Sequence, residues 1–199
     1  MQKSKIHEAI ILTGPSGAGK TTAINVLEDI GFEPIDNIPI DLIGRVLSGA
    51  DLVKPLALGI DVRTRGFSAK SLLEAIDSLR TMSKQRLKLL YLDCTTFELE
   101  KRFNGTRRKH PLSSGDTLTS AIFRENKAIE PLKTKADILL DTSDLNPNQL
   151  KTQLIKCLNL KLQNHMSVHI QSLAYTKPMP PSIDMLIDCR FLSNPHWIS

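Results

Sequence analysis

The run Gly14-Pro15-Ser16-Gly17-Ala18-Gly19-Lys20-Thr21 fits G-x-x-x-x-G-K-[ST], the spacing that folds a backbone around a phosphate chain. Its glycines permit the tight turns that aim successive N–H groups inward as an anion nest. Lys20 supplies a full positive charge for the β- and γ-phosphates, and the Thr21 hydroxyl is placed to ligate Mg²⁺. A helix starting at this point adds the positive end of its dipole. If a phosphoryl group is transferred, Lys20 is the group that offsets the charge developing on the β–γ bridge.

A Mg²⁺–nucleotide also needs an acid opposite the loop. Asp36, Asp61, Asp93 and Asp141 each close an apolar run, where ligands of open parallel sheets bind. The acid that holds the metal's hydration shell belongs on the strand beside the loop-bearing strand, which favours Asp61 over Asp93. A turn-capping role is the alternative for all four. Lys20 and Asp61 are thus the expected catalytic pair, with Thr21 and Asp61 as metal ligands. Arg63 and Arg65 follow Asp61, and Arg102, Arg107, Arg108 and Lys109 lie in or before a basic loop, Gly105–Gly115. Arginine forks suit phosphate, and a loop in this position resembles the closing lid of small P-loop kinases. A solvated basic loop or a nucleic-acid contact are its other readings.

These residues require a framework. Ala9–Thr13 is a β-prone apolar run, and Ala23, Ile24, Val26, Leu27 and Ile30 recur at helical spacing before Gly31, so the loop sits between strand and helix. Further strands are predicted over Phe32–Asp36, Leu56–Val62, Leu87–Asp93 and Ala136–Asp141. Helices are predicted from Pro39 through Leu47, from a Ser68 cap through Leu79, and over Thr96–Phe103, Leu118–Leu132 and Pro147–Leu162. Five strands alternating with helices predict an α/β fold: a parallel five-stranded, P-loop kinase-like sheet covered on both faces. The nucleotide-binding domain is expected over 1–164. From Ser167 the texture changes to a loosely alternating run, the Pro-rich Lys177–Pro181 and a possible strand over Ile183–Asp188. Residues 165–199 are expected to begin a second domain too short to bury its own core.

With 41% hydrophobic and 24% charged residues the 199-residue chain has an ordinary globular composition. It holds no apolar run near the roughly 18 residues of a membrane span and no signal-peptide pattern. Three widely spaced cysteines, Cys94, Cys157 and Cys189, make no disulfide framework, and a cytoplasmic location is expected. The net charge of +5 suits a phosphate-rich partner. His165 and His169 have metal-binding spacing only on a continuous helix, which the pattern ends before them.

The segments Leu27–Phe32, Asp36-Asn37-Ile38-Pro39, Ile60-Asp61-Val62-Arg63, Thr106–Ser113, Glu130-Pro131-Leu132, Asp141-Thr142-Ser143 and Asp188–Trp197, with the glycine loop, resemble the RapZ/YvcJ family of bacterial P-loop nucleotide-binding proteins, the RNase adapter family. The resemblance runs over nearly the whole chain, and its T-R-R-x-H-P-L and R-F-L-x-N-P-H-W segments are more specific than the loop alone. It implies a kinase-like nucleotide-binding domain that binds and slowly hydrolyses ATP or GTP. Gly14–Thr21 matches the family's ATP loop, and Asp61-Val62-Arg63-Thr64 the segment assigned to GTP. It also implies an adapter role presenting a small regulatory RNA to an endoribonuclease in amino-sugar homeostasis, and a homo-oligomer. The resemblance places the RNA and metabolite sites mainly in the family's C-terminal domain, whose later G-x-x-G-G-x-H-R-type loop is absent from this sequence, which stops just after Asn194-Pro195-His196-Trp197. The expected function is therefore a nucleotide-binding regulator with weak NTPase activity. The alternative is a small-molecule kinase with Asp36 as an acceptor-side base.

Overall fold

A computed structural model describes residues 8–47, 54–82, 86–106, 109–113 and 115–160, and a few positions beyond. The chain divides into two compact units, 1–162 and 163–199. In the first, the elements run β1 (Glu8–Thr13), α1 (Lys20–Asp29), β2 (Glu33–Asp36), α2 (Ile40–Leu47), β3 (Leu56–Gly59), α3 (Ala69–Met82), β4 (Arg86–Asp93), α4 (Thr96–Thr106), α5 (Leu118–Lys135), β5 (Ile138–Asp141) and α6 (Pro147–Cys157). In the second, residues 185–188 of the predicted last strand are irregular, and His165, His169 and Cys189 lie outside the described residues.

The sheet order is β2-β3-β1-β4-β5, with every pairing parallel. The expected α/β, kinase-like sheet is therefore the fold. The central strand β1 reads as an unbroken apolar run because both of its faces are covered. Ala9 and Ile11 enter one core with α2, α3 and the C-terminal part of α5. Ile10 and Leu12 enter the other with α1, Leu99 of α4, Ile122 of α5 and Leu150 and Leu154 of α6. Helix α5 thus contributes to both cores, Ile122 to one and Ile129 and Leu132 to the other.

Local signals account for several boundaries. Ser68 Oγ accepts from Ser71 N–H at 3.0 Å and starts α3. Asn146 and Gln149 form a reciprocal capping box on α6. Several boundaries differ from the predicted ones, and three have a visible cause or consequence. Strand β3 ends at Gly59, so Asp61 stands in a turn closed by Thr64 N–H to Asp61 O at 2.9 Å. Helix α4 continues through Gly105 to Thr106, and α6 stops at Cys157, since Asn159 takes φ 53°. No helix among the described residues is long and apolar enough to cross a membrane.

Candidate functional site

The glycine loop leaves the carboxyl end of β1 and enters α1. Gly14 has φ 143°, and a Cβ there would collide with the Leu92 carbonyl oxygen of β4, so only glycine lets the loop leave the sheet at this height. Gly19 is the left-handed N-cap of α1 (φ 94°) and provides no side-chain acceptor.

The loop is held by its carbonyls. Lys20 Nζ donates to Gly14 O at 2.8 Å and Pro15 O at 3.0 Å. Arg102 donates to Gly17 O at 3.1 Å, and Thr142 Oγ1 donates to Ala18 O at 2.9 Å. Arg102 also reaches Thr142 O at 2.6 Å, which ties the loop to the end of β5. Pinning these oxygens leaves the N–H groups of Gly17, Gly19, Lys20 and Thr21 without a partner among the described residues. An anion needs such a set of donors.

Lys20 also stands 3.7 Å from Asp61, with its side chain 10% exposed. Burial pulls the ammonium pKa below its usual range, and Asp61 and Glu125 oppose that. Asp61 is buried. Burial pushes its carboxyl up, but hydrogen bonds from Arg63 and the Lys20 charge outweigh this and hold it below the ordinary carboxylate range. The turn around it is self-bonded. Arg63 N–H donates to Asp61 Oδ1 at 2.9 Å, its guanidinium to Oδ2 at 2.7 Å, and Asp61 N–H to Thr64 Oγ1 at 3.2 Å. Val62 packs on the adjoining core.

Of the four predicted acids, Asp61 reaches Lys20. Asp36 accepts from Asn37 N–H, Asp93 pairs with Lys133 at 2.8 Å, and Asp141 is held by Ser143. Asp93 and Asp141 line a separate cavity of about 280 Å³ with Tyr91, Asn126 and Glu130. Thr21 is exposed in the first turn of α1. Arg107 and Arg108 lie outside the described residues.

Glu125 lies in none of the motifs, and the sequence assigns no role to His110, the histidine of T-R-R-x-H-P-L. Glu125 is fully buried, takes Ser16 N–H and Ser16 Oγ–H at 3.0 and 2.8 Å, and meets His110 Nε2 at 2.9 Å. The signal in the sequence was a charged residue on the apolar face set by Ala121, Ile122, Ile129 and Leu132.

Residues 7–161 match the family model described as RapZ-like N-terminal domain. A protein of Cereibacter sphaeroides strain KD131, named a nucleotide-binding protein, is 43% identical over 192 residues, covering 96% of this chain and 64% of that protein. A Ruegeria pomeroyi protein of the same description is 42% identical over 186 residues, covering 94% of this chain and 66% of it. The chain thus spans about two-thirds or less of the length of these relatives. Among solved structures, shikimate kinase from Bacteroides thetaiotaomicron superposes with a TM-score of 0.56 at 16% identity, over 76% of this chain and 98% of the kinase. The shikimate kinase of Acinetobacter baumannii gives 0.54 at 20% identity, over 80% and 97%. These likenesses establish a P-loop kinase-like fold.

Proposed function

The chain belongs to the RapZ-like N-terminal domain family, and from that premise we propose that it binds a nucleoside triphosphate, ATP or GTP, at Gly14-Pro15-Ser16-Gly17-Ala18-Gly19-Lys20-Thr21. The observation that carries the reading is the set of pinned loop carbonyls with free N–H groups beside a buried Lys20–Asp61 pair. The relatives' description as nucleotide-binding proteins supports it.

In this reading Lys20 exchanges its bonds to Gly14 O and Pro15 O for the β- and γ-phosphates. The hard oxygens of Thr21 and Asp61 suit Mg²⁺, which tolerates carboxylate, hydroxyl and water ligands. When bound, the ion would neutralise phosphate charge. Asp61-Val62-Arg63-Thr64 forms the facing wall, where Arg63 keeps Asp61 ionised. Arg107 and Arg108 follow α4 in sequence and are proposed as further phosphate contacts.

Weak turnover is part of the proposal. Glu125, the carboxylate that touches the loop, is fully buried and already engaged by three internal donors, an arrangement suited to holding the loop rather than to taking a proton from water. Nucleotide occupancy then serves as a regulatory signal in the cytoplasm. The adapter role, with a small regulatory RNA and an endoribonuclease, belongs to the longer proteins and comes to this chain as a proposal only, as does homo-oligomerisation.

Calorimetric titration with ATP and with GTP, each with and without Mg²⁺, tests the reading. Saturable heat with either nucleotide supports it, and no heat with both overturns it. ADP release stimulated by one compound of an acceptor panel would instead establish the kinase alternative.

A further inference from the structure

We propose that Glu125 is the positioning residue of the phosphate loop: it fixes Ser16 from outside the loop, and His110 fixes Glu125. The inference rests on the nucleotide-binding reading above.

Helix α5 carries Ile122 into one core and Ile129 and Leu132 into the other, and Glu125 lies between them where the helix passes the loop. A carboxylate removed from water is costly unless donors surround it. Here the side chain is 0% exposed and three donors converge on it. Ser16 N–H lies at 3.0 Å and His110 at 2.9 Å from Oε2, and Ser16 Oγ lies at 2.8 Å from Oε1. The imidazole's tautomer follows from its other contact. Leu112 N–H donates to His110 Nδ1 at 3.2 Å, so Nδ1 is the acceptor and Nε2 carries the proton given to Glu125. Phe103 holds the ring, with centroids 5.1 Å apart.

A continuous path therefore runs from Leu112 through His110 and Glu125 to Ser16. An apolar residue at 125 would fill the same space without the desolvation cost. What the carboxylate adds is directional. The other side chains that bind the loop hold its carbonyls, whereas Glu125 grips a loop N–H and a loop hydroxyl together. That grip fixes the Pro15–Ser16 peptide plane and the Ser16 side chain, one residue before Gly17, whose free N–H is one of the phosphate donors proposed above. The Glu125 charge also favours the ammonium form of Lys20.

The test uses the full chain, with Mg²⁺–ATP and Mg²⁺–GTP titrated into wild type, Glu125→Gln, Glu125→Ala and Ser16→Ala, and with a melting curve for each. The Gln amide can keep every contact: its oxygen accepts from Ser16 N–H and His110 Nε2–H, and its NH₂ donates to Ser16 Oγ. Glu125→Gln is expected to bind within about threefold of wild type, whereas Glu125→Ala, measured well below its melting point, weakens by about tenfold or more. Ser16→Ala, which loses one bond, is expected to weaken binding about threefold. Should Glu125→Ala fail to fold, Ser16→Ala and Glu125→Gln decide. A purely structural Glu125 would lower the melting temperature of Glu125→Ala and leave affinity intact, and that result overturns the proposal. Unchanged affinity in Ser16→Ala also overturns it. Absence of binding by wild type removes the nucleotide reading itself and is told apart by that control.

Discussion

Replacing Gly14 by alanine should cost more than any other single methyl group added to the phosphate loop. The added Cβ would lie 3.1 Å from the Leu92 carbonyl carbon, 3.3 Å from Leu92 Cβ and far inside 3.0 Å of the carbonyl oxygen. Leu92 is a fully buried residue of β4, and that strand pairs with β1 through Thr13 and Tyr91, so its backbone has little freedom to retreat. Overpacking of this kind costs about 1–3 kcal/mol, and an alanine held at φ 143° adds about 1–3 kcal/mol of strain. At about 2–4 °C per kcal/mol for a chain of this size, the roughly 2–6 kcal/mol total means Gly14→Ala should melt roughly 4–24 °C below wild type. Gly31→Ala provides the control. Gly31 also has positive φ, but nothing lies within 4 Å of an added Cβ, so only strain of about 1–2 kcal/mol applies. Differential scanning calorimetry of both variants separates the contact from the dihedral. Equal melting temperatures for the two would refute the claim that the loop is seated on the Leu92 carbonyl.

Asp61→Asn should flatten the acid limb of the stability curve. The folded pKa of Asp61 is lowered, so its contribution is present above the unfolded value of about 3.8 and is lost as pH falls from there through the folded value. Urea melts at steps between pH 5 and pH 2.5 check this, and parallel curves for wild type and variant would contradict it. Thr142→Val removes a buried hydroxyl that donates to Ala18 O and lies 3.0 Å from Asp93 O, and should lower stability by about 1–2 kcal/mol in a thermal melt. Chelation of Mg²⁺ should weaken wild-type ATP affinity by about tenfold, roughly 1.4 kcal/mol. The same treatment should have a smaller effect on Thr21→Ala in calorimetry, since Asp61 remains to hold the ion.

The sheet was legible because its strands are short apolar runs separated by helical periodicity, and because two faces of β1 must both be covered. The loop was legible because glycine spacing with Lys20 and Thr21 has few other uses. What the sequence concealed depends on pairing between distant residues. Asp61 was favoured over Asp93 by its place in the chain, but both lie at or just past the ends of strands that neighbour β1, and only the folded contacts give one to Lys20 and the other to Lys133. The end of β3 was read too late because Ile60 and Val62 are as apolar as strand residues, yet Thr64 closes a turn on Asp61. Glu125 drew no reading from the sequence, although it shares the apolar face of α5. Its burial becomes visible only when Ser16 and His110, 109 and 15 residues away in sequence, arrive as its donors.

The most direct measurement of the central claim is the affinity of the chain for Mg²⁺–ATP and Mg²⁺–GTP before and after Lys20→Ala, with circular dichroism confirming the fold. Lys20 leaves Gly14 O, Pro15 O and Asp61 to meet the phosphates in this account. The variant should therefore lose about 1.5–3 kcal/mol, or roughly 10- to 150-fold in affinity, while staying folded. A folded Lys20→Ala protein that binds either nucleotide as tightly as wild type would contradict the account.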